Sequence, residues 1–187
     1  MSVRRHSRLA RIVRRVPLKV ALALVRPIAL LNHRWYMPPL VRVLRWAGVR
    51  LEGVPRYIAP SVFFDDFDRV TLGDRVVISS GVSLLTHDYS WTTVRIANGA
   101  HVGGDEAVVR PIRIGHNVFV GRGSLIMPGA RIGDHVIIGA GSVVRGVVES
   151  GSVVMGNPAQ KTTTVQALYE RDLTRVADLD IRKDRVA

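Results

Sequence analysis

One histidine of this chain stands where a sequence pattern breaks. In "LLTHDYSWTT", residues 84–93, regular aliphatic spacing stops at Thr86-His87-Asp88 and gives way to polar and aromatic residues. Histidine is the side chain whose ordinary charge change falls near neutral pH, so His87 could act as a general base, ligate a metal or be a loop residue without chemistry. Asp88 is not expected to orient it, because neighbours on an extended strand point to opposite sides. The chain has no cysteine, which excludes disulfides, thiolate nucleophiles and cysteine-bound zinc or iron–sulfur sites.

The pattern that breaks has a period of six. Aliphatic residues recur at Leu72, Ile78 and Leu84, then in a second phase at Ile114, Val120, Ile126, Ile132, Ile138 and Val144. Glycine follows directly at Gly73, Gly115, Gly121, Gly133 and Gly139, and residues of modest size stand four places on at Val76, Val82, Val118, Ser124, Ala130, Val136 and Ser142. Six fits neither a helix nor a hairpin meander, but it fits a short strand and a tight corner, repeated and stacked as parallel coils around one core. Glycine or Asn/Asp would take positive φ at the corners. Between the phases lie about 24 residues, 88–111, with no such pattern, carrying Tyr89, Trp91, His101 and Gly103-Gly104. An excursion this long in a compact domain is usually functional or disordered, and its composition suits a cover over a ligand.

The run "IGHNVFVGRGSLIMPGARIGDHVIIGAGSVV" and the later "GNPAQK" resemble the hexapeptide-repeat acyltransferases, in particular the sugar and polysaccharide O-acetyltransferase branch with its maltose, galactoside and nodulation-type enzymes. The resemblance spans about residues 55–165. It implies a mainly β protein, a left-handed parallel β-helix of three hexapeptides per coil, and a homotrimer with active sites between prisms. Geometry alone would not predict the hand, since parallel crossovers are nearly always right-handed. The expected divisions are a basic helical segment at 1–52, the β-helix at 53–165 with its excursion at 88–111, and a helical tail at 166–187.

The resemblance also implies roles. His87, just before the excursion, takes the place of the catalytic base. Among Asp65, Asp66 and Asp68 in "FFDDFDRV", Asp66 is the expected orienting partner, with a solvated acidic turn as the alternative. Phe119, Gly121, Gly139, Ala140, Gly141, Ser142, Arg145 and Lys161 are the expected contacts to acetyl-CoA. The basic residue after "GAGSVV" is shifted relative to the family, as is the one in "GNPAQK", where Gln160 precedes Lys161. His116 and His135 sit at variable repeat positions and are expected in surface turns. No metal is expected: prism-shaped γ-class carbonic anhydrases use histidines where this chain has Arg122 and Met127.

The net charge of +12 is concentrated in the first 50 residues, which hold twelve Lys or Arg and no Asp or Glu; the remainder holds fifteen of each. Leu9, Ile12, Val13 and Val16 recur at helical spacing opposite Arg8, Arg11, Arg14 and Arg15, which predicts a basic amphipathic helix. Pro17 and Pro27 are expected to break the next stretch of chain into short pieces, with another helix near 39–47. The segment is too charged to span a membrane and shows no cleavage pattern. Two placements fit it: helices packed on the main domain, or a peripheral anchor on an anionic membrane surface, each cation adding about 1 kcal/mol near the headgroups. No aromatic platform accompanies the charge, so nucleic acid is not an expected partner. Leu168, Leu173, Val176 and Leu179 predict a short surface helix with a ragged end.

The expected function is therefore acetyl-CoA-dependent O-acetylation of a sugar hydroxyl in a saccharide, polysaccharide or glycolipid precursor. The expected location is the cytoplasm or the inner membrane face. The alternatives are a sugar-amine N-acyltransferase and a trimeric scaffold without catalysis.

Overall fold

The computed structural model describes residues 8–173, leaving aside the side chains of 8–16, 33 and 173. Short parallel strands stack into three faces of a left-handed β-helix. Face one carries Arg50–Leu51, Val70–Leu72, Ile112–Ile114, Arg131–Ile132 and Val147–Val148. Face two carries Tyr57–Ile58, Val77–Ile78, Phe119–Val120, Ile137–Ile138 and Ser152–Met155, and face three Phe63–Phe64, Ser83–Leu84, Leu125–Ile126 and Val143–Val144. The nine aliphatic residues of the six-residue register are all buried, none more than 3% exposed, and so are the seven that stand four places after an aliphatic. Strand and corner thus each send one side chain inward, which makes the core continuous from coil to coil.

Register measures the excursion. Ile114 pairs with Ile132 and Val120 with Ile138, each 18 residues apart, or three hexapeptides. Leu72 pairs with Ile114 across 42 residues, so one coil carries 24 extra. The excursion is not patternless throughout. Its stem pairs His87–Asp88 antiparallel with Val108–Val109, and beyond it lies a helix, Ser90–Ala97, whose Thr92 hydroxyl donates to the Glu106 carbonyl. The six-residue test is blind to a helix of two turns.

The glycines that follow the aliphatic residues serve close approach rather than turning. A Cβ on Gly121 would lie 2.5 Å from the Ala140 nitrogen in the next coil, a distance that backbone atoms cannot yield. Positive φ falls two places later, at Gly123 and Gly141 on one edge and at Asn117 and His135 on another.

Three helices pack over the first coil: α1 at Arg8–Val25, α2 at Ile28–Leu31 and α3 at His33–Ala47. Contrary to expectation, α1 runs through Pro17, whereas the break at Pro27 is real. A proline inside a helix costs about 3 kcal/mol, and packing of α1 on α3, with Val25 buried and Leu22 against the core, offsets it. Helix α3 begins earlier than 39 because Asn32 caps it, its side chain accepting from the Arg34 N–H. Tyr36, Met37, Leu40, Val41 and Leu44 form its buried stripe. Each fully buried side chain of this kind contributes roughly 1.5–3 kcal/mol.

At the other end, Gln160–Thr164 folds back antiparallel on Ser152–Met155 and covers the last strand edge, and the helix Val165–Leu173 comes next. Val176 and Leu179 lie outside the described residues.

Candidate functional site

His87 stands at the edge where the chain leaves face three. Phe64 pairs in register with Leu84, so the next residue, Asp65, lies beside the corner Leu85-Thr86-His87. One carboxylate oxygen, Asp65 Oδ2, accepts from the Thr86 N–H and the His87 N–H, both at 3.1 Å, and from His87 Nδ1 at 2.7 Å. Burial pushes the Asp65 carboxyl up, but hydrogen bonds from His87 and Thr86 outweigh it and hold the group below the usual carboxylate range. An ionised carboxylate can only accept, so the 2.7 Å hydrogen bond to Asp65 places the proton of the neutral ring on Nδ1, and the longer contact at Nε2 leaves that nitrogen its lone pair.

Asp66, the residue expected to orient His87, lies instead on the other side of the ring, its Oδ2 3.3 Å from Nε2 and 3.4 Å from Arg69 Nε. It is Asp65 that meets Nδ1, because the corner, not strand alternation, sets which carboxylate lies there. The fully buried Thr86 sends its hydroxyl toward both, 3.4 Å from Asp65 Oδ2 and 3.3 Å from Asp66 Oδ2. Asp68 sits in the short 3-10 turn Phe67–Arg69. The Tyr89 ring stacks near the imidazole, with centroids 6.1 Å apart. His87 is about a quarter exposed, so the imidazole is reachable but held. Asp88 turns away and accepts from the Ser90 N–H; its carboxyl is lowered by hydrogen bonds from Ser90 and, to a smaller extent, by the charges of Arg145 and Arg110.

The residues expected to touch acetyl-CoA lie along two edges and one face. Gly121 and the run Gly139-Ala140-Gly141 form the edge entering face three, with Ala140 and Gly141 exposed, and Phe119 stands half-exposed on face two. Ser142 does not face outward. It is fully buried, its hydroxyl donates to the Gly139 carbonyl at 2.6 Å and accepts from the Gly156 N–H, and so it fastens the corner. Arg145 stands exposed at the edge leaving face three, the edge of His87. Lys161 lies further along, 3.5 Å from Glu149.

The other histidines do different work. His116 Nδ1 accepts from the Asp74 N–H at 2.9 Å and its own N–H donates to Asp134, making it a rung between coils. His135 takes positive φ at an exposed corner beside Asn117. Among the described residues no group of three or more His, Asp or Glu is arranged to hold a metal ion.

Residues 111–146 match the family model described as bacterial transferase hexapeptide (six repeats). The six repeats of that model thus fall in the last coils of the β-helix. No curated protein matches the chain significantly. Solved hexapeptide-type structures resemble it over most of its length. A maltose O-acetyltransferase from Clostridium difficile 630 is 22% identical with a TM-score of 0.61, covering 84% of this chain and 89% of that one. A galactoside acetyltransferase in complex with coenzyme A is 22% identical with a TM-score of 0.63, covering 96% and 90%. A hexapeptide-repeat acetyltransferase from Vibrio cholerae O1 biovar eltor, complexed with acetyl coenzyme A, is 20% identical with a TM-score of 0.55, covering 79% and 87%. At these identities the likeness establishes the hexapeptide-repeat fold.

Proposed function

We propose that this hexapeptide-repeat protein is an acetyltransferase that moves the acetyl group of acetyl-CoA to a sugar hydroxyl, with His87 as general base. The observation that carries this reading is the Asp65–His87 pair: a carboxylate fixes the ring proton on Nδ1 and leaves Nε2 as acceptor at a reachable corner. The names of the similar structures, a maltose O-acetyltransferase and two acetyltransferases holding coenzyme A or acetyl coenzyme A, support the donor and the acceptor class.

In the proposed reaction the acceptor hydroxyl attacks the thioester carbonyl carbon while Nε2 takes its proton. The tetrahedral oxyanion collapses, the C–S bond breaks, and the imidazolium returns its proton to the departing thiolate. The ester and free coenzyme A are the products. The imidazolium formed midway has Asp65 at one nitrogen and Asp66 at the other, both of which favour its charge. With no cysteine in the chain, no thioester to the enzyme is required.

The layout supports assembly as a homotrimer. Ala140 and Gly141 border face three on one side and His87 on the other, across a face roughly 15–20 Å wide at about 3.3 Å per residue. A second prism set against one edge would bring the coenzyme corner of one copy to the His87 of another. We place peripheral contact with an anionic membrane surface on the helical segment, where Leu24, Leu30, Leu31 and Trp35 are exposed among Lys19, Arg26 and Arg34. No helix among the described residues is long and apolar enough to cross a membrane.

Thiol release from acetyl-CoA, followed with a panel of sugars and glycolipids, tests the activity. Acceptor-dependent release is expected. Absence of both acetyl-CoA binding and release would contradict the reading and favour a scaffold.

A further inference from the structure

Away from His87, a cavity of about 370 Å³ lies between the N-terminal helices and the first coil. That volume is within the range of small-molecule sites, roughly 300–1,000 Å³. Its wall is apolar, built from Leu22, Leu40, Ile58, Val62, Phe64 and Phe67. Two cations line it, Lys19 and Arg26, both on the exposed side of the helical segment, and no acidic residue does. One wall residue is polar: Tyr36 is 1% exposed, and its hydroxyl has no hydrogen-bond partner among the described residues. Burial, with a smaller effect from Tyr57, pushes that hydroxyl up to about 12, so it stays a donor. Facing the cavity, that hydroxyl can donate to an oxygen of a molecule held there.

We propose that this cavity holds the hydrocarbon chain of a membrane lipid whose anionic headgroup pairs with Lys19 and Arg26, with an oxygen at the head of the chain accepting from Tyr36. The apolar wall meets the chain, the two cations meet the head, and the exposed Val20, Leu24, Leu30 and Leu31 of α1 and α2 give a lipid an apolar path from a bilayer. The chain's own first residues, "MSVRRHS", are a poor occupant, since they would set Arg4 and Arg5 against Lys19 and Arg26. The proposal stands apart from acetyl transfer, because its readout is binding.

The test uses the full chain and dansyl-labelled undecanoate, with dansyl-labelled undecanol as the uncharged twin. Saturable fluorescence is expected for the anionic probe, bound about tenfold more tightly than the alcohol, a difference of 1.4 kcal/mol. Ala23→Trp, which fills the cavity from an exposed helix position, is expected to abolish binding with the circular dichroism unchanged. Lys19→Glu with Arg26→Glu is expected to remove the preference for the anion and keep alcohol binding. No saturable binding by wild type, binding untouched by Ala23→Trp, an anion preference that survives the double charge reversal, or binding that appears only after residues 1–7 are removed would each overturn the proposal.

Discussion

His87 and His116 stand on different edges of one prism, each in contact with an aspartate or its backbone, and they differ in which nitrogen is engaged and by what. At His116 a backbone N–H donates to Nδ1, so that nitrogen must be the acceptor and the proton of the neutral ring sits on Nε2. At His87 a carboxylate takes the Nδ1 proton and leaves Nε2 with a lone pair. The first ring is a structural rung and the second can accept a proton from a substrate. Proximity to an aspartate therefore does not decide which ring nitrogen keeps its lone pair, whereas the donor or acceptor character of the partner at Nδ1 does.

Substitutions sharpen this contrast. His87→Ala is expected to lower the turnover of acetyl transfer by about 10²–10⁴, the usual worth of a positioned base, with coenzyme binding preserved and a stability loss of only about 1 kcal/mol from the lost bond to Asp65. Asp65→Asn is expected to cost nearly as much in kcat, because an amide can present a donor to Nδ1 and move the proton to Nε2; the same change in a serine-protease triad costs about 10⁴. Asp66→Asn should cost less, and a larger loss there than at Asp65 would break the assignment of the orienting role.

Smaller effects are expected in stability. Gly121→Ala forces a Cβ to within 2.5 Å of the Ala140 nitrogen and should destabilise by roughly 1–3 kcal/mol in urea unfolding. His116→Ala should leave kcat unchanged and cost about 0.5–1.5 kcal/mol, the net value of the lost hydrogen bond to Asp74. A large fall in kcat in His116→Ala would erase the contrast. Acid behaviour separates the corners too. The Asp65 carboxyl is lowered in the folded state, so its contribution to stability is fully present above the ordinary carboxylate value of about 3.9 and is lost as pH falls through the folded value. Asp65→Asn should flatten that acid limb in thermal melts, and His116→Ala should leave it intact.

Much of this was legible in the sequence, because the repeat forces it. Nine aliphatic positions in one register predicted a stacked parallel core, and the break in that register pointed to His87. The choice between Asp65 and Asp66 was not legible. Phe64 and Leu84 are 20 residues apart rather than 18, so counting hexapeptides misplaces the carboxylate by a residue or two. Ser142 matched a motif by type, but its side chain fills the inward position four places after Ile138, a slot that the period itself assigns to the core. Helix Ser90–Ala97 and the passage of α1 through Pro17 depend on tertiary contacts that local propensity does not encode.

The most direct test of the account is the tautomer of the two imidazoles, read by nitrogen-15 correlation spectra of the neutral rings, with His87→Gln and His116→Gln to assign the signals. A protonated Nδ1 and bare Nε2 are expected at His87, and the reverse at His116. A His87 ring protonated at Nε2 would leave no base at the corner and contradict it.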